Sequence, residues 1–344
     1  MMKDIMMIGV DLAKAVFQLH GASMTGEPKF RKKLSRQSFG KFMAEQPPAI
    51  VVMEACGSAH YWARELIRFG HEVKLIAPHY VKPFVKRQKN DAADAEAIVI
   101  AAQRPEMRFV GPKSAEQQSR AILFRARERL VRQRTELVNA LRAALYEYGH
   151  VVPQGIHQIS RIEAILDAAS SDLPDLMCEE CHDLLKQIAE QTVRINARTG
   201  KIKALAAEAD TARRLQTIPG VGPLTALAVE AFSPPMVNFS CGRDFASWLG
   251  LVPRQFSSGG KERLGRTSKA GQADIRRLLI IGAMPRLNWF GRKSIPEGLW
   301  LARIAARKPR MLVAIALANK IARTIWALIV KNENYRVPAQ VVAA

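Results

Sequence analysis

Over the first hundred residues, short apolar runs alternate with helical stretches, and this alternation restricts the possible architectures more than any other feature. Ile5 to Asp11 is an apolar run ending in Gly9-Val10-Asp11. Ala15 to His20 follows at hairpin distance, and Lys29 to Leu34 reads as a third strand. Ser35 to Phe42 starts a helix, Ile50 to Met53 is a compact β run, Ser58 to Phe69 reads as an amphipathic helix and Val73 to Ala77 as another strand. Strands alternating with helices predict an α/β sheet with covered faces. Ligand sites in such sheets lie at the carboxyl ends of strands, where Asp11 and Glu54 fall.

The next stretch, Lys86 to Ile100, reads KRQKNDAADAEAIVI. Asn90 is a candidate N-cap and the Ala-rich run after it favours helix. Asp91 and Asp94, three apart, would share one face of that helix. Such close like charges repel unless a cation or proton lies between them. Lys82, Lys86, Arg87 and Lys89 precede them, so acid beside base suggests a divalent metal meeting a phosphate backbone. The plainer alternative is a helix start whose acids complement the helix dipole. Taken with Asp11 and Glu54, the pair could complete a hard-oxygen set suited to magnesium.

The chain has 344 residues, enough for two or three domains, and 48% hydrophobic residues, which excludes a disordered tail. A formal charge of +21 calls for a polyanionic partner, nucleic acid first and anionic membrane second. The opening MMKDIMMIGVDLAK is too short for a signal peptide. No apolar run is expected to span a membrane, since Met311 to Val330 is broken by Lys320 and Arg323. The expectation is a cytoplasmic protein. Cys178-Glu-Glu-Cys181-His182 matches a haem-attachment pattern, but a charged helical setting makes coincidence the better reading, and no second ligand pair supports zinc.

After Pro105, Ser114 to Tyr148 reads as a helix with Leu123, Leu130, Leu137, Leu141 and Leu145 near a heptad beat. Arg120, Arg125, Arg127, Arg129, Arg132 and Arg134 form a stripe, either a solvated face or a nucleic-acid contact. A turn at Gly149 to Gly155 leads to a second helical stretch from Ile159 to Ala207, interrupted near Ser170 to Pro174, which predicts a helical hairpin or coiled coil.

Pro219-Gly220-Val221-Gly222 looks like a helix-hairpin-helix turn, whose glycines would let backbone N–H groups approach a phosphate; the alternative is a packed helical corner. From Arg254 to Arg310 stand fourteen Lys/Arg against three Asp/Glu. Ser257, Ser258, Gly259 and Gly260 form a flexible turn beside Lys261, Arg263, Arg266 and Lys269. Its serines are ordinary loop polarity or a nucleophile for a phosphodiester. Ser268 reads as a phosphate contact or cap for a helix from Gln272 to Asn288 that carries Arg276 and Arg277. A last helix, Pro309 to Val330, supplies core. The seven histidines show no ligand spacing; His60 follows Glu54 closely, but a structural role suits it better.

Five motifs in this order, GVDLAK, VMEACGS, KNDAADAEAI, IPGVGPLTA and GLVPRQFSSGGKERLGRTSKAG, resemble those of the "one-ten" family of insertion-sequence transposases. These are the bridge-RNA-guided recombinases related to Piv-type DNA invertases, and the "eleven-eleven" subgroup is the nearest pattern. The resemblance implies a RuvC-like mixed-sheet domain of the RNase H type over 1–112. It implies a coiled-coil hairpin for dimerisation over 113–210, and a mainly α C-terminal transposase domain with the helix-hairpin-helix over 211–335. It also implies a magnesium-binding Asp-Glu-Asp-Asp set on Asp11, Glu54, Asp91 and Asp94, with two ions and manganese as a substitute. The nucleophilic serine falls on Ser258, with Ser257 the alternative because two adjacent serines allow a slip by one; the loop that follows is one residue shorter than in some relatives, which leaves the alignment of Lys261 to Gly265 open. Nucleic-acid contacts fall on Gly220, Gly222, Lys261, Arg263, Arg266, Lys269, Arg276 and Arg277. Donor and target DNA, a structured guide RNA, and a dimer assembling to a tetramer near the nucleoid complete what is implied. From charge and acids alone, a hydrolytic junction nuclease and a non-catalytic nucleic-acid scaffold stay open.

Overall fold

The computed structural model describes residues 6–85, 91–168, 173–292 and 300–336. Asn90, Lys86, Arg87 and Lys89 lie outside them, as do most of the interruption near Ser170 and the side chain of Asp91. The chain divides into two compact units, Met1–Gln118 and Ser119–Ala344.

The first unit is built on a six-stranded sheet in the order β3-β2-β1-β4-β5-β6. The strands are β1 (Met6–Leu12), β2 (Val16–Ser23), β3 (Pro28–Ser35), β4 (Ile50–Glu54), β5 (Glu72–Ile76) and β6 (Phe109–Val110). β1, β4 and β5 run parallel, while β2, β3 and β6 pair antiparallel to their neighbours. The short edge strand β6 is not signalled in the sequence. The helices are α1 (Arg36–Ala44), α2 (Ala59–Arg68), α3 (Pro78–Val81) and α4 (Asp91–Ala102). α1 starts where the Ser35 side chain accepts a hydrogen bond from the Ser38 N–H at 3.1 Å.

Residue alternation assigns the two sheet faces. Ile8, Val10, Val51 and Met53 pack with Phe39, Trp62 and Leu66 of α1 and α2. Phe17, Phe39 and Trp62 meet edge-on with ring centroids 4.8–5.4 Å apart, each pair adding about 0.5–1.5 kcal/mol beyond burial. Met7, Ile50 and Val52 point the other way, onto Ala97, Ile98 and Ala101 of α4. β3 is a lysine-rich edge, a composition that discourages pairing with another chain.

The second unit is mostly helical. α5 (Ala115–Glu147) and α7 (Asp175–Glu208) are its long helices, with α6 (Ile159–Leu166) between them. One core joins Ala121 and Phe124 near the start of α5 to Ile202 and Ala206 near the end of α7. Another joins Val138, Leu141 and Leu145 to Cys181 and Ile188. The two helices therefore run antiparallel as the expected hairpin. In α7 the buried residues Cys181, Ile188, Ile195 and Ile202 recur every seven positions. Cys181 is thus a core residue, its Sγ 3.7 Å from Met177 Sδ.

The rest comprises α8 (Asp210–Leu215), α9 (Pro223–Phe232), α10 (Gly242–Trp248), strands β7 (Pro253–Gln255) and β8 (Leu264–Thr267), α11 (Ala273–Arg292), α12 (Trp300–Ala305) and α13 (Arg310–Lys331). The expectation that no run reaches membrane length fails for α13, which is long and apolar enough by composition among the described residues. Lys320 and Arg323 do not interrupt it, and Val313, Leu317, Ile321, Ile325 and Leu328 are buried along one stripe in the core of this unit.

Candidate active site and nucleic-acid surface

Three carboxylates converge on the α4 face of the sheet. The parallel register Gly9↔Val52 and Val10↔Met53 puts Asp11 and Glu54 side by side at the next step. Both follow the period that already points Met7 and Val52 toward α4. Gly9 admits the helix: a β-carbon there would lie 2.4 Å from the Ala95 carbonyl oxygen and 2.6 Å from Val99 Cγ2. That seating brings in Asp94, one residue before Ala95. The Glu54 carboxyl is pushed above its ordinary range, first by burial, then by the negative charges of Asp11 and Asp94. Asp91 opens α4 in the backbone. Glu96 leaves the group to pair with Arg31 at 2.9 Å.

Among the described residues no three His, Cys, Asp or Glu groups are assembled at metal-ligand spacing. The donor chemistry still fits a divalent ion: half-buried carboxylates that repel one another are the condition a hard cation relieves. His60 takes no part in this cluster. Its Nδ1 accepts from the Lys113 N–H at 3.2 Å, and burial, then Lys113 and Arg64, lower its pKa to about 4.

The basic stretch after Gly250 is an antiparallel ribbon of β7 and β8 rather than a loop. At its tip the Lys261 N–H donates to the Ser258 carbonyl at 3.1 Å. Gly259 and Gly260 between them have φ of 57° and 75°, a primed turn that residues with a β-carbon adopt poorly. The expected flexible turn therefore has a defined geometry. Ser257 Oγ accepts from the Arg263 N–H at 3.2 Å, while the exposed Ser258 hydroxyl has no hydrogen bond among the described residues. Lys261, Arg263, Arg266 and Lys269 are all exposed beside it.

Other expected contacts are engaged inside the unit. Arg276 Nη1 donates to the Leu249 carbonyl at 2.8 Å and the Ala270 carbonyl at 2.9 Å. Arg277 pairs with Glu128. Gly220, at φ 92°, packs backbone to backbone on Gly282 of α11, whereas Gly222 is exposed at the start of α9. Ser268 caps nothing: its hydroxyl is buried without a partner, and Gln272 Oε1 accepts from the Asp274 N–H at 3.1 Å instead. In the arginine stripe, Arg127 and Arg134 donate across the hairpin to Thr199 and Thr192 at 2.8 and 3.1 Å. Arg120 pairs with Glu230 at 2.7 Å, and Arg125, Arg129 and Arg132 remain exposed.

Two family models match. Residues 8–150 match the DEDD transposase model of the IS110 type, and residues 212–295 match the model described as "Transposase IS116/IS110/IS902 family". The chain is 44% identical to the "Probable family 20 transposase" of Pseudomonas aeruginosa, over 96% of this chain and 98% of that protein. It is 40% identical to the "Transposase for insertion sequence element IS1111A" of Coxiella burnetii, over 97% and 92%. It is 38% identical to the "Transposase for insertion sequence element IS1328" of Yersinia enterocolitica, over 95% and 97%.

Proposed function

The chain belongs to the IS116/IS110/IS902 family of insertion-sequence transposases, and from that premise we propose that it cuts and rejoins DNA through a serine-linked intermediate. The observation that carries the acidic half is the convergence of Asp11, Glu54 and Asp94 on one face of the sheet, with the Glu54 carboxyl raised first by burial and then by both neighbours. Asp91 would complete a RuvC-like set. These residues would hold magnesium, with manganese as a substitute, and the bound ion would neutralise charge on the scissile phosphate.

Ser258 is the nucleophile in this reading. Its Oγ attacks phosphorus, a P–Oγ bond forms and the P–O3′ bond breaks. The Oγ proton passes to a carboxylate, and the departing 3′ oxygen takes up a proton. Rejoining is the reverse attack by a 3′-hydroxyl. Lys261, Arg263 and Arg266 would hold the phosphate and stabilise the charge that builds on it. Ser257 is the weaker candidate because its hydroxyl holds the turn.

Donor and target DNA are the substrates. The formal charge of +21 supports a further polyanion, and a structured guide RNA whose pairing supplies sequence choice fits it. The helical hairpin would dimerise the chain, the dimers would assemble to a tetramer, and the protein would act in the cytoplasm at the nucleoid. The test is trapping: incubation with element-end DNA and magnesium, then denaturation and digestion. The expected result is a covalent adduct on the Ser258 peptide, absent in Ser258→Ala and Asp11→Asn. Strand breaks without an adduct would mean hydrolysis by the acids alone.

A further inference from the structure

α10 and α13 meet at Gly242, where a β-carbon would lie 3.0 Å from the Arg323 carbonyl oxygen. Beside this contact opens a cavity of about 820 Å³, within the range of ligand-binding pockets. Its wall combines two indoles, Trp300 and Trp326, with three cations, Arg243, Lys320 and Arg323, and among the described residues no carboxylate lines it. The three cations are exposed, and among the described residues none is ion-paired. Trp326 is fixed by its Nε1–H, which donates to the Met236 carbonyl at 3.3 Å. Lys320 Nζ stands 4.9 Å from the Trp300 ring centroid.

We infer that this cavity receives an unpaired base of a DNA strand, with the base against indole and its flanking phosphates met by Arg243, Lys320 and Arg323. An inorganic anion would use the cations and leave both indoles idle. A purely apolar ligand would leave the cations idle. A nucleotide uses both, since every base offers a π face and every linkage a charge. Duplex DNA keeps its base faces stacked, so the ligand is a single strand, as strand exchange produces. The choice of DNA rests on the reading of the chain as a DNA-acting enzyme. The cavity does not depend on serine attack or on metal.

The test uses the full chain in EDTA and the anisotropy of a labelled oligothymidylate of about ten nucleotides. Trp300→Ala is expected to weaken binding by roughly tenfold, the usual scale for losing one stacked base. Replacing the thymines with abasic sites should weaken wild type by a similar factor and the variant hardly at all. Lys320→Ala, at an exposed position, should lower affinity and flatten its salt dependence. An oligothymidylate bearing 5-iodouracil should photocrosslink to the Trp300 or Trp326 peptide. Abasic and thymine strands bound equally by wild type, or a crosslink only elsewhere, would overturn the site. An oligouridylate bound more than about tenfold tighter would overturn the assignment to DNA. Because only binding is read and no metal is present, failure here leaves the cleavage reading intact, and a missing Ser258 adduct leaves this one intact.

Discussion

Gly9 and Ala95 are in backbone contact: the strand position has no side chain because the helix carbonyl occupies that space, 2.4 Å from where a β-carbon would be. Gly9→Ala must push α4 away from β1, a change of overpacking type that costs about 1–3 kcal/mol. The displacement moves Asp94 relative to Asp11 and Glu54. The expected outcome is a lower denaturant midpoint together with a larger loss of DNA cleavage than a remote variant of equal stability shows. Cleavage at the wild-type rate in Gly9→Ala would separate the seating of α4 from the chemistry.

Glu54 leads to a pH prediction of definite sign. Its folded pKa is raised, so the folded state holds a proton that the unfolded chain has already released. The favourable contribution is complete below the ordinary value of 4.5 and is lost as pH rises through the folded pKa. Glu54→Gln removes the ionisation and should make the metal-free chain more stable at neutral pH, with little change near pH 4. Magnesium should reverse the order, stabilising wild type more than the variant. Equal melting temperatures with and without the ion, in both proteins, would count against a metal role for this face.

His60 behaves in the opposite sense. Its pKa falls from 6.5 to about 4 because burial, Lys113 and Arg64 disfavour the imidazolium. Between those values the unfolded chain binds the proton and the folded chain does not, so stability should rise with pH across that window. The effect is on the order of 1–2 kcal/mol after solvent screening. His60→Gln should flatten this part of the stability profile, measured by urea titration at several pH values, while leaving the profile above pH 7 unchanged apart from a constant offset.

Much of the first unit was legible in the sequence because alternation of apolar runs is a strong local signal. The succession of the first five strands along the chain, α1, α2, and Asp11 and Glu54 at strand ends all came from it. What escaped depends on contacts between distant segments. Nothing local in GVD says that α4 rests on Gly9. β6 is two residues long, too short for any periodic pattern. The basic stretch read as a loop because Gly259 and Gly260 look like flexibility, whereas their positive φ values build a hairpin. The seven-residue repeat Cys181, Ile188, Ile195, Ile202 escaped because its first member is a cysteine in a charged stretch, which carries no apolar signal of the kind the leucines of α5 give. Arg276 looked like a phosphate contact because a charge in sequence does not reveal that two backbone carbonyls already occupy it.

That same repeat makes the hairpin testable. Ile195 is buried, 3% exposed, midway along α7, and Ile195→Ala should cost about 2–4 kcal/mol through lost transfer and a residual cavity. The measurement is a urea midpoint with unchanged far-ultraviolet circular dichroism at low denaturant.

The two adjacent serines give the sharpest contrast. Ser257 Oγ accepts from the Arg263 N–H at 3.2 Å across the ribbon, so Ser257→Ala removes one turn hydrogen bond, worth about 0.5–1.5 kcal/mol. That loosens the tip and should slow DNA cleavage severalfold while a covalent adduct still forms. Ser258 holds no such bond, so Ser258→Ala should leave stability within about 0.5 kcal/mol of wild type. In the proposed mechanism it also removes the attacking oxygen, and adduct formation should fall by roughly a thousandfold or more. Ser258→Cys, which keeps a nucleophile at the same place, should recover a slow thiol-linked adduct. If Ser257→Ala abolishes the adduct and Ser258→Ala does not, the hydroxyl that reacts is the one accepting from Arg263, and the turn must open before it can attack.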